Sequence, residues 1–271
     1  MERYKEIERS IITTFRKRIW RNFVKGVKEY RMISEGEKIA VCISGGKDSM
    51  LMAKCFQEIR AHGDMKFDLV FLCMNPGYNE LNKQKIIENS KILNIPLTMF
   101  ETDIFERVDR IEDHPCYLCA RMRRGYLYEK AKELGCNKIA LGHHFNDVIE
   151  TILMGMFYGA QMQTMMPKVK STSHPGMELI RPMYYVREDD IISWEKKNNL
   201  DFIKCACKIT EKTGGIQVGS KRDEMKNLIK KLKKKYDNID YNIFRSVEDV
   251  NLDTIISYHK GKEKHHFLDN Y

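Results

Sequence analysis

An α/β fold, a parallel sheet with helices on both faces, is predicted by three observations. The apolar run Lys38 to Ile43 stops at Ser44-Gly45-Gly46, and a helical pattern takes over at Asp48. Strand-like runs then alternate with helical periodicity as far as Phe157, the βαβ order that builds parallel sheets. The 42% hydrophobic content of the 271 residues suffices for one large core with flanking extensions.

In chain order, Ile7, Ile11, Phe15, Ile19, Phe23 and Val27 recur every four residues, with Arg16, Lys17, Arg18, Arg21, Lys25 and Lys28 among them. This is an amphipathic helix with one docking face and one cationic face. After Gly36 come a strand at Lys38 to Ile43, a helix at Asp48 to Ala61, a strand at Phe67 to Met74, a helix at Asn79 to Leu93 and a strand at Leu97 to Glu101. A helix from about Cys119 to Leu134, a strand at Lys138 to Leu141 and a helix from Asn146 to Phe157 follow. Pro175-Gly176 turns between two extended pieces, Lys168 to Thr172 and Glu178 to Met183, which reads as a β-hairpin lid. Residues 187 to 199 return to a helix, Lys221 to Lys235 form a strongly basic helix, and a shorter one is expected after a Ser246 cap. The last residues, from Lys260, are expected to be loosely held. The expected domains are 1–35, a basic amphipathic helix; 36–210, the α/β body with the cysteines; and 211–271, a basic helical extension.

The formal net charge of +9 is concentrated in two places. Residues 1–31 carry ten Lys and Arg against four Asp and Glu, and residues 221–235 carry eight against two. Two basic arms on a near-neutral body fit either a polyanionic partner or solvated faces. There is no apolar leader and no run of the ~18 apolar residues that a membrane span needs, so a cytoplasmic protein with no membrane partner is expected. Eight cysteines are too sparse for a secreted disulfide scaffold, and clustered thiols in a reducing compartment more often bind metal or do chemistry.

The loop Ser44-Gly45-Gly46-Lys47-Asp48-Ser49 has the chemistry of a phosphate cradle. The glycines let backbone N–H groups approach an anion, the helix that follows aims its positive end at the same point, and Lys47 adds a full charge. Neither the Walker A spacing nor Gly-x-Gly-x-x-Gly is present, which weakens the ordinary NTPase and dinucleotide readings. Ligands of such sheets bind at the carboxyl ends of the strands, where this loop, Met74 and Gly142 converge. Met74 on its own residue type is a core side chain.

Ser-Gly-Gly-x-Asp-Ser after a buried strand resembles the PP-loop of the ATP pyrophosphatase (adenine nucleotide alpha hydrolase) superfamily. That likeness implies a Rossmann-like PP-loop domain that cuts ATP at the α-phosphate, adenylates a substrate and releases pyrophosphate. Further along stand Cys116-Tyr-Leu-Cys119-Ala-Arg-Met-Arg-Arg-Gly-Tyr-Leu-Tyr, Lys138-Ile-Ala-Leu-Gly-His-His-Phe-Asn-Asp-Val-Ile-Glu-Thr, Met156-Phe157-Tyr158-Gly159, Met166-Pro167-Lys168 and Ile180-Arg181-Pro182-Met183 with Arg187-Glu188. Together, over about residues 10–207, they resemble the tRNA 2-thiocytidine synthetase family.

What this resemblance implies is ATP-dependent thiolation at C2 of a cytidine in the anticodon loop of tRNA. ATP is expected at Ser44, Gly45, Gly46, Lys47, Asp48 and Ser49, with Met74 against the adenine and Gly142, His143 and Asp147 approaching from the next strand. Lys47 would bind phosphate, Asp48 would sit near Mg²⁺ or phosphates, and these two are the catalytic candidates. The family's Asp-Asp after the histidines is here Asn146-Asp147, which retains one carboxylate.

A Cys-x-x-Cys pair by itself holds zinc, an iron–sulfur cluster, a redox disulfide or nothing, and with Cys205 and Cys207 added a Cys₄ zinc site fits the spacing as well as a cluster does. The resemblance implies a [4Fe–4S] cluster on three cysteines, with one iron open to hold a sulfide. The family's later pair is separated by two residues and this one by a single residue; alignment on Phe202-Ile203-Lys204 makes Cys205 the third ligand beside Cys116 and Cys119. Cys42, Cys55, Cys73 and Cys136 fall in or beside strands and helices and read as small buried hydrophobes. Arg121, Arg123 and Arg124 beside the first pair are solvated charges unless a polyanion is received there. The implied partners are tRNA, a sulfur donor (a cysteine desulfurase persulfide or free sulfide) and a second copy in a homodimer. Other readings that share these features are a thiouridine-forming or desulfurising PP-loop enzyme, a lysidine synthetase-like ligase, and a non-catalytic zinc and nucleic-acid-binding module.

Overall fold

The computed structural model describes residues 2–108, 115–203 and 220–271, the side chains at 108, 115–117 and 270 excepted. They belong to two compact units, one of Met1–Val148 with Met166–Val218, the other of Ile149–Met165 with Gly219–Tyr271.

The first unit holds a six-stranded sheet. Its strands are β1 Lys38–Ile43, β2 Asp68–Asn75, β3 Leu97–Glu101, β4 Lys138–Ala140, β5 Lys168–Lys170 and β6 Glu178–Ile180, in the order β3-β2-β1-β4-β6-β5. All neighbours are parallel except β5, which runs antiparallel to β6. Strand β1 is central because it is apolar on both faces: Ile39, Val41 and Ile43 enter one core while Ala40 and Cys42 enter the other. The connections are α3 Lys47–His62 between β1 and β2, α4 Glu80–Ile92 between β2 and β3, and α5 Ile104–Val108 and α6 Pro115–Glu133 between β3 and β4. Helix α7, Phe145–Gly159, leaves β4 and runs into the second unit, and α8, Glu188–Lys197, follows β6.

The hairpin of β5 and β6 was expected as a lid, and the structure corrects this. β6 adds to the main sheet through Lys138↔Glu178, Ile139↔Leu179 and Ala140↔Ile180, so the hairpin extends the sheet instead of covering a site. Leu179 and Ile180 are buried, one on each face, which commits the strand to the core.

The amino-terminal stripe is buried as predicted, with Ile7, Ile11, Phe15, Ile19, Phe23 and Val27 all at most 2% exposed. Arg16, Lys17, Arg18, Arg21, Lys25 and Lys28 are exposed. The element is not one α-helix, however. A four-residue period overshoots an α-helical turn by about 40°, so five such steps would wind the stripe about 200° around a straight helix. The chain resolves this with α1 Arg3–Ile12, a π-helical turn Arg16–Trp20 and α2 Arg21–Glu29. The wider π turn resets the phase and keeps the stripe on the core. Fully buried Lys54 of α3 fastens α1 down through Glu8 at 2.6 Å, with Gln57 and the Leu93 carbonyl as further acceptors.

In the second unit the basic helix Lys221–Lys233 opens with a capping box, Ser220 Oγ accepting from Asp223 N and Asp223 Oδ2 accepting from Ser220 N. Met225 and Ile229 face inward, while Lys230, Lys231, Lys234 and Lys235 are exposed. The next helix is Ile239–Glu248, so Ser246 lies inside it and is no cap; its hydroxyl donates to the Ile243 carbonyl one turn back. The tail is also more regular than expected. Ser257–Lys260 and Glu263–His266 form a hairpin around Gly261, whose φ of +67° suits glycine at the turn. Among the described residues no helix is long and apolar enough to cross a membrane.

Candidate nucleotide site

Strand β1 delivers Ser44 to the carboxyl edge of the sheet, and the chain must reverse into α3 within three residues. Gly45 makes this possible with φ +85°. A Cβ there would also come within 2.5 Å of Ile86 Cγ1 and 2.7 Å of Ile203 Cδ1, so both backbone conformation and space demand glycine. Gly46 is extended and serves as the N-cap of α3 without a side chain of its own, which leaves the first-turn N–H groups open to an anion. Ser49 is 3% exposed and works within the loop: its Oγ accepts from Ser44 N and Ser44 Oγ, both at 3.1 Å, and donates to the Gly46 carbonyl at 3.0 Å. Ser49 therefore braces the cradle.

Lys47 and Asp48 open the helix. Lys47 Nζ lies 3.1 Å from Asp48 Oδ1 and 3.5 Å from Glu188 Oε1, held between two carboxylates with its side chain 22% exposed. Nothing in the sequence around Glu188 marks it as a residue of this site. It begins α8, and its backbone N–H donates to Asn146 Oδ1 at 3.0 Å, so the residue that replaces a carboxylate here ties α7 to α8. An amide oxygen can accept that bond in place of a carboxylate oxygen, without the charge.

Gly142 follows β4 and lies against the cradle. A Cβ on it would sit 3.1 Å from Ser49 N and 3.2 Å from the Asp48 carbonyl carbon. Gly142→Ala is therefore expected to displace the first turn of α3 by a few tenths of an ångström and weaken ATP binding by roughly tenfold, with the fold retained. Calorimetric titration checks this, and an unchanged Kd would show that the turn yields freely.

His143 beside it is half-buried. His144 was not expected in the site, but it is 6% exposed and its Nε2 lies 3.9 Å from Asp48 Oδ1. Asp147 Oδ2 accepts from His144 N at 2.9 Å while His144 Nδ1 accepts from Asp147 N at 3.4 Å, a reciprocal cap at the start of α7 that orients the imidazole toward the loop. Asp147 is thus engaged in positioning His144. Met74, 3% exposed near the end of β2, packs in the same core cluster as Ala40 and Cys42.

Cys116 and Cys119 lie three residues apart in the first turns of α6, and Cys119 is half-buried against a core cluster that includes Leu127 and Tyr128. Cys205 and Cys207 lie outside the described residues. A set of thiolates alone would suit an iron–sulfur cluster or zinc. The other four cysteines are buried as expected, and burial pushes their thiols up, Cys73 to about 12, which leaves them inert.

The match to known proteins agrees with this cradle. The PP-loop domain model covers residues 14–209. A tRNA-cytidine(32) 2-sulfurtransferase from Paraburkholderia xenovorans is 35% identical over 86% of this chain and 68% of its own. One from Aeromonas salmonicida is 34% identical over 86% and 76%, and one from Aeromonas hydrophila 32% identical over 90% and 79%. Among solved structures, the U34-tRNA thiolase NcsA from Methanococcus maripaludis with its [4Fe–4S] cluster shares the fold, with a TM-score of 0.66 at 21% identity over 89% of this chain and 80% of that one. The strand-to-helix cradle with its second glycine, and relatives that match nearly the whole chain, place the protein in the PP-loop family, to whose tRNA 2-thiocytidine synthetases this chain belongs.

Proposed function

We propose that the protein is an ATP-dependent tRNA sulfurtransferase that converts a cytidine of the anticodon loop to 2-thiocytidine. The observation that carries this is the backbone cradle of Gly45, Gly46 and Gly142 around the opening of α3, in a chain so similar to tRNA-cytidine(32) 2-sulfurtransferases. The C2 oxygen of cytidine is a poor leaving group and must be activated. In the proposed reaction that oxygen attacks the α-phosphorus of ATP, the bond to the β-phosphate breaks and pyrophosphate departs. Sulfide then adds at C2 and AMP leaves with the oxygen.

The chain's own part is positioning and charge. Open N–H groups of α3 and the Lys47 ammonium bind the phosphates, Ser49 keeps the loop in shape, and Glu188 holds Lys47 at the cradle. Asp48 would bind a divalent cation carried by the phosphates. Met74, His143 and Asp147 complete the nucleotide site. Cys116, Cys119 and Cys205 would hold a [4Fe–4S] cluster. When bound, the cluster supplies the sulfide and Mg²⁺ screens the charge of the leaving pyrophosphate. Segments 1–35 and 211–271 flank the 36–210 body and give sequence-independent affinity for tRNA through their exposed Lys and Arg. The enzyme works in the cytoplasm as a homodimer, and free sulfide, or a cysteine desulfurase persulfide reduced by a two-electron donor such as a pair of thiols, replenishes the sulfur.

With tRNA and a sulfide source, the expected products are AMP and pyrophosphate in equal amounts, read by chromatography. ADP and phosphate would reject the assignment.

A further inference from the structure

Arg181 follows β6 directly, so it stands at the same carboxyl edge of the sheet as the loops after β1 and β4. It is only 8% exposed. Its one side-chain hydrogen bond among the described residues is from Nη1 to the Met166 carbonyl, and its Nε is buried without an acceptor. Among the described residues no carboxylate lies within ion-pair distance of it. Arg124 of α6 is close enough to act on it electrostatically, is exposed, and likewise has no acidic partner among the described residues.

Two guanidinium groups that repel each other, neither of them ion-paired to a carboxylate among the described residues, are unfavourable. Buried charges are ordinarily paired, and an arginine fork left with an unused N–H matches the oxygens of a phosphate. Burial holds the Arg181 guanidinium down to about 10; of its charged and polar neighbours, Tyr184, Tyr128 and Asp147 raise it and Arg124 lowers it. Asp147 is the residue that caps α7 and orients His144 toward Asp48, which ties this pair of arginines to the nucleotide edge.

We propose that Arg181 and Arg124 form an anion subsite for a phosphate group, with Arg181 as the buried floor and Arg124 as the open rim. The phosphate comes from one of two sources, the pyrophosphate end of the nucleotide or a phosphodiester of the RNA. This second possibility rests on the tRNA reading above, and the first does not.

The test uses full-length anaerobic protein with Arg181→Met, Arg181→Lys and Arg124→Ala. Affinity for pyrophosphate is measured by calorimetry and affinity for tRNA by filter binding across a salt series. Loss of about tenfold to a hundredfold in pyrophosphate affinity, the range of a charged hydrogen bond, assigns the nucleotide as source. A similar loss in tRNA affinity, with the salt slope reduced by about one, assigns the RNA. Either result, partly restored in Arg181→Lys, supports the subsite. Folded Arg181→Met protein that binds both ligands as wild type overturns it, and Arg181 then only braces the Met166 carbonyl. Should Arg181→Met fail to fold, Arg124→Ala decides: its side chain is outside the hairpin, so weakened binding supports the proposal and unchanged binding of both ligands overturns it. AMP formation by wild type is followed in the same preparation; its absence would reject the thiolation reading while leaving the pyrophosphate result standing.

Discussion

Lys47→Met is expected to lower AMP formation by about a hundredfold to a thousandfold, the usual cost of removing one preorganised electrostatic contact at a reacting group. The structure makes the effect larger than the loss of one charge. Lys47 Nζ lies 3.1 Å from Asp48 and 3.5 Å from Glu188, so its removal leaves two carboxylates facing the position of a triphosphate with no cation between them. ATP affinity should fall together with turnover, and Lys47→Met combined with Glu188→Gln should regain part of the affinity by removing the repulsion. Thermal stability should change little, because Lys47 is partly exposed and Ser49 closes the loop independently. AMP production within a factor of about three of wild type would show that the α3 terminus alone carries the phosphates.

Cys116→Ser, Cys119→Ser and Cys205→Ser are each expected to lose iron and abolish thiolation, since a cluster left with two protein thiolates does not persist. Cys207→Ser should retain iron. This asymmetry separates a three-thiolate cluster from a Cys₄ zinc site, where all four changes would cost metal. ATP binding should survive in every variant, because the cradle is built from β1, α3 and Gly142 without a cysteine ligand. Iron, sulfide and zinc analysis of anaerobic protein with an absorption spectrum checks the series. Zinc without iron in wild type would end the cluster mechanism; iron lost only in Cys207→Ser would move the third ligand by two residues.

The cradle was legible in the sequence because its information is local. A buried strand, two glycines and a helix start lie within a dozen residues, and Gly142 carries the same mark after β4. Glu188 and His144 were not nominated because their roles depend on two segments meeting: α8 begins beside Lys47 only because β6 joins the sheet, and no periodicity records that. The misplaced lid has the same origin. Strands of three residues are too short to show on which face they are buried, and the pairing of β6 with β4 crosses nearly forty residues of chain. The π turn had left a trace, a stripe with period four, which is a poor fit to a straight α-helix. Ser246 misled because serine is strongly favoured at N-caps and not in helix interiors, whereas here its hydroxyl is satisfied by the Ile243 carbonyl one turn back.

The sheet ends at β5, a strand of only Lys168, Val169 and Lys170. An exposed edge is where one protein chain recruits another by extending its ladder, and a short edge carrying lysines resists that. If two copies aligned their β5 edges antiparallel about Val169, Lys168 of each would stand opposite Lys170 of the other, with like charges facing across every outer pair. The Lys168 ammonium is already committed to Glu178 and the Arg31 carbonyl, so it cannot swing aside without breaking both. The β5 edge therefore disfavours self-recruitment, a brake on sheet growth there at high concentration.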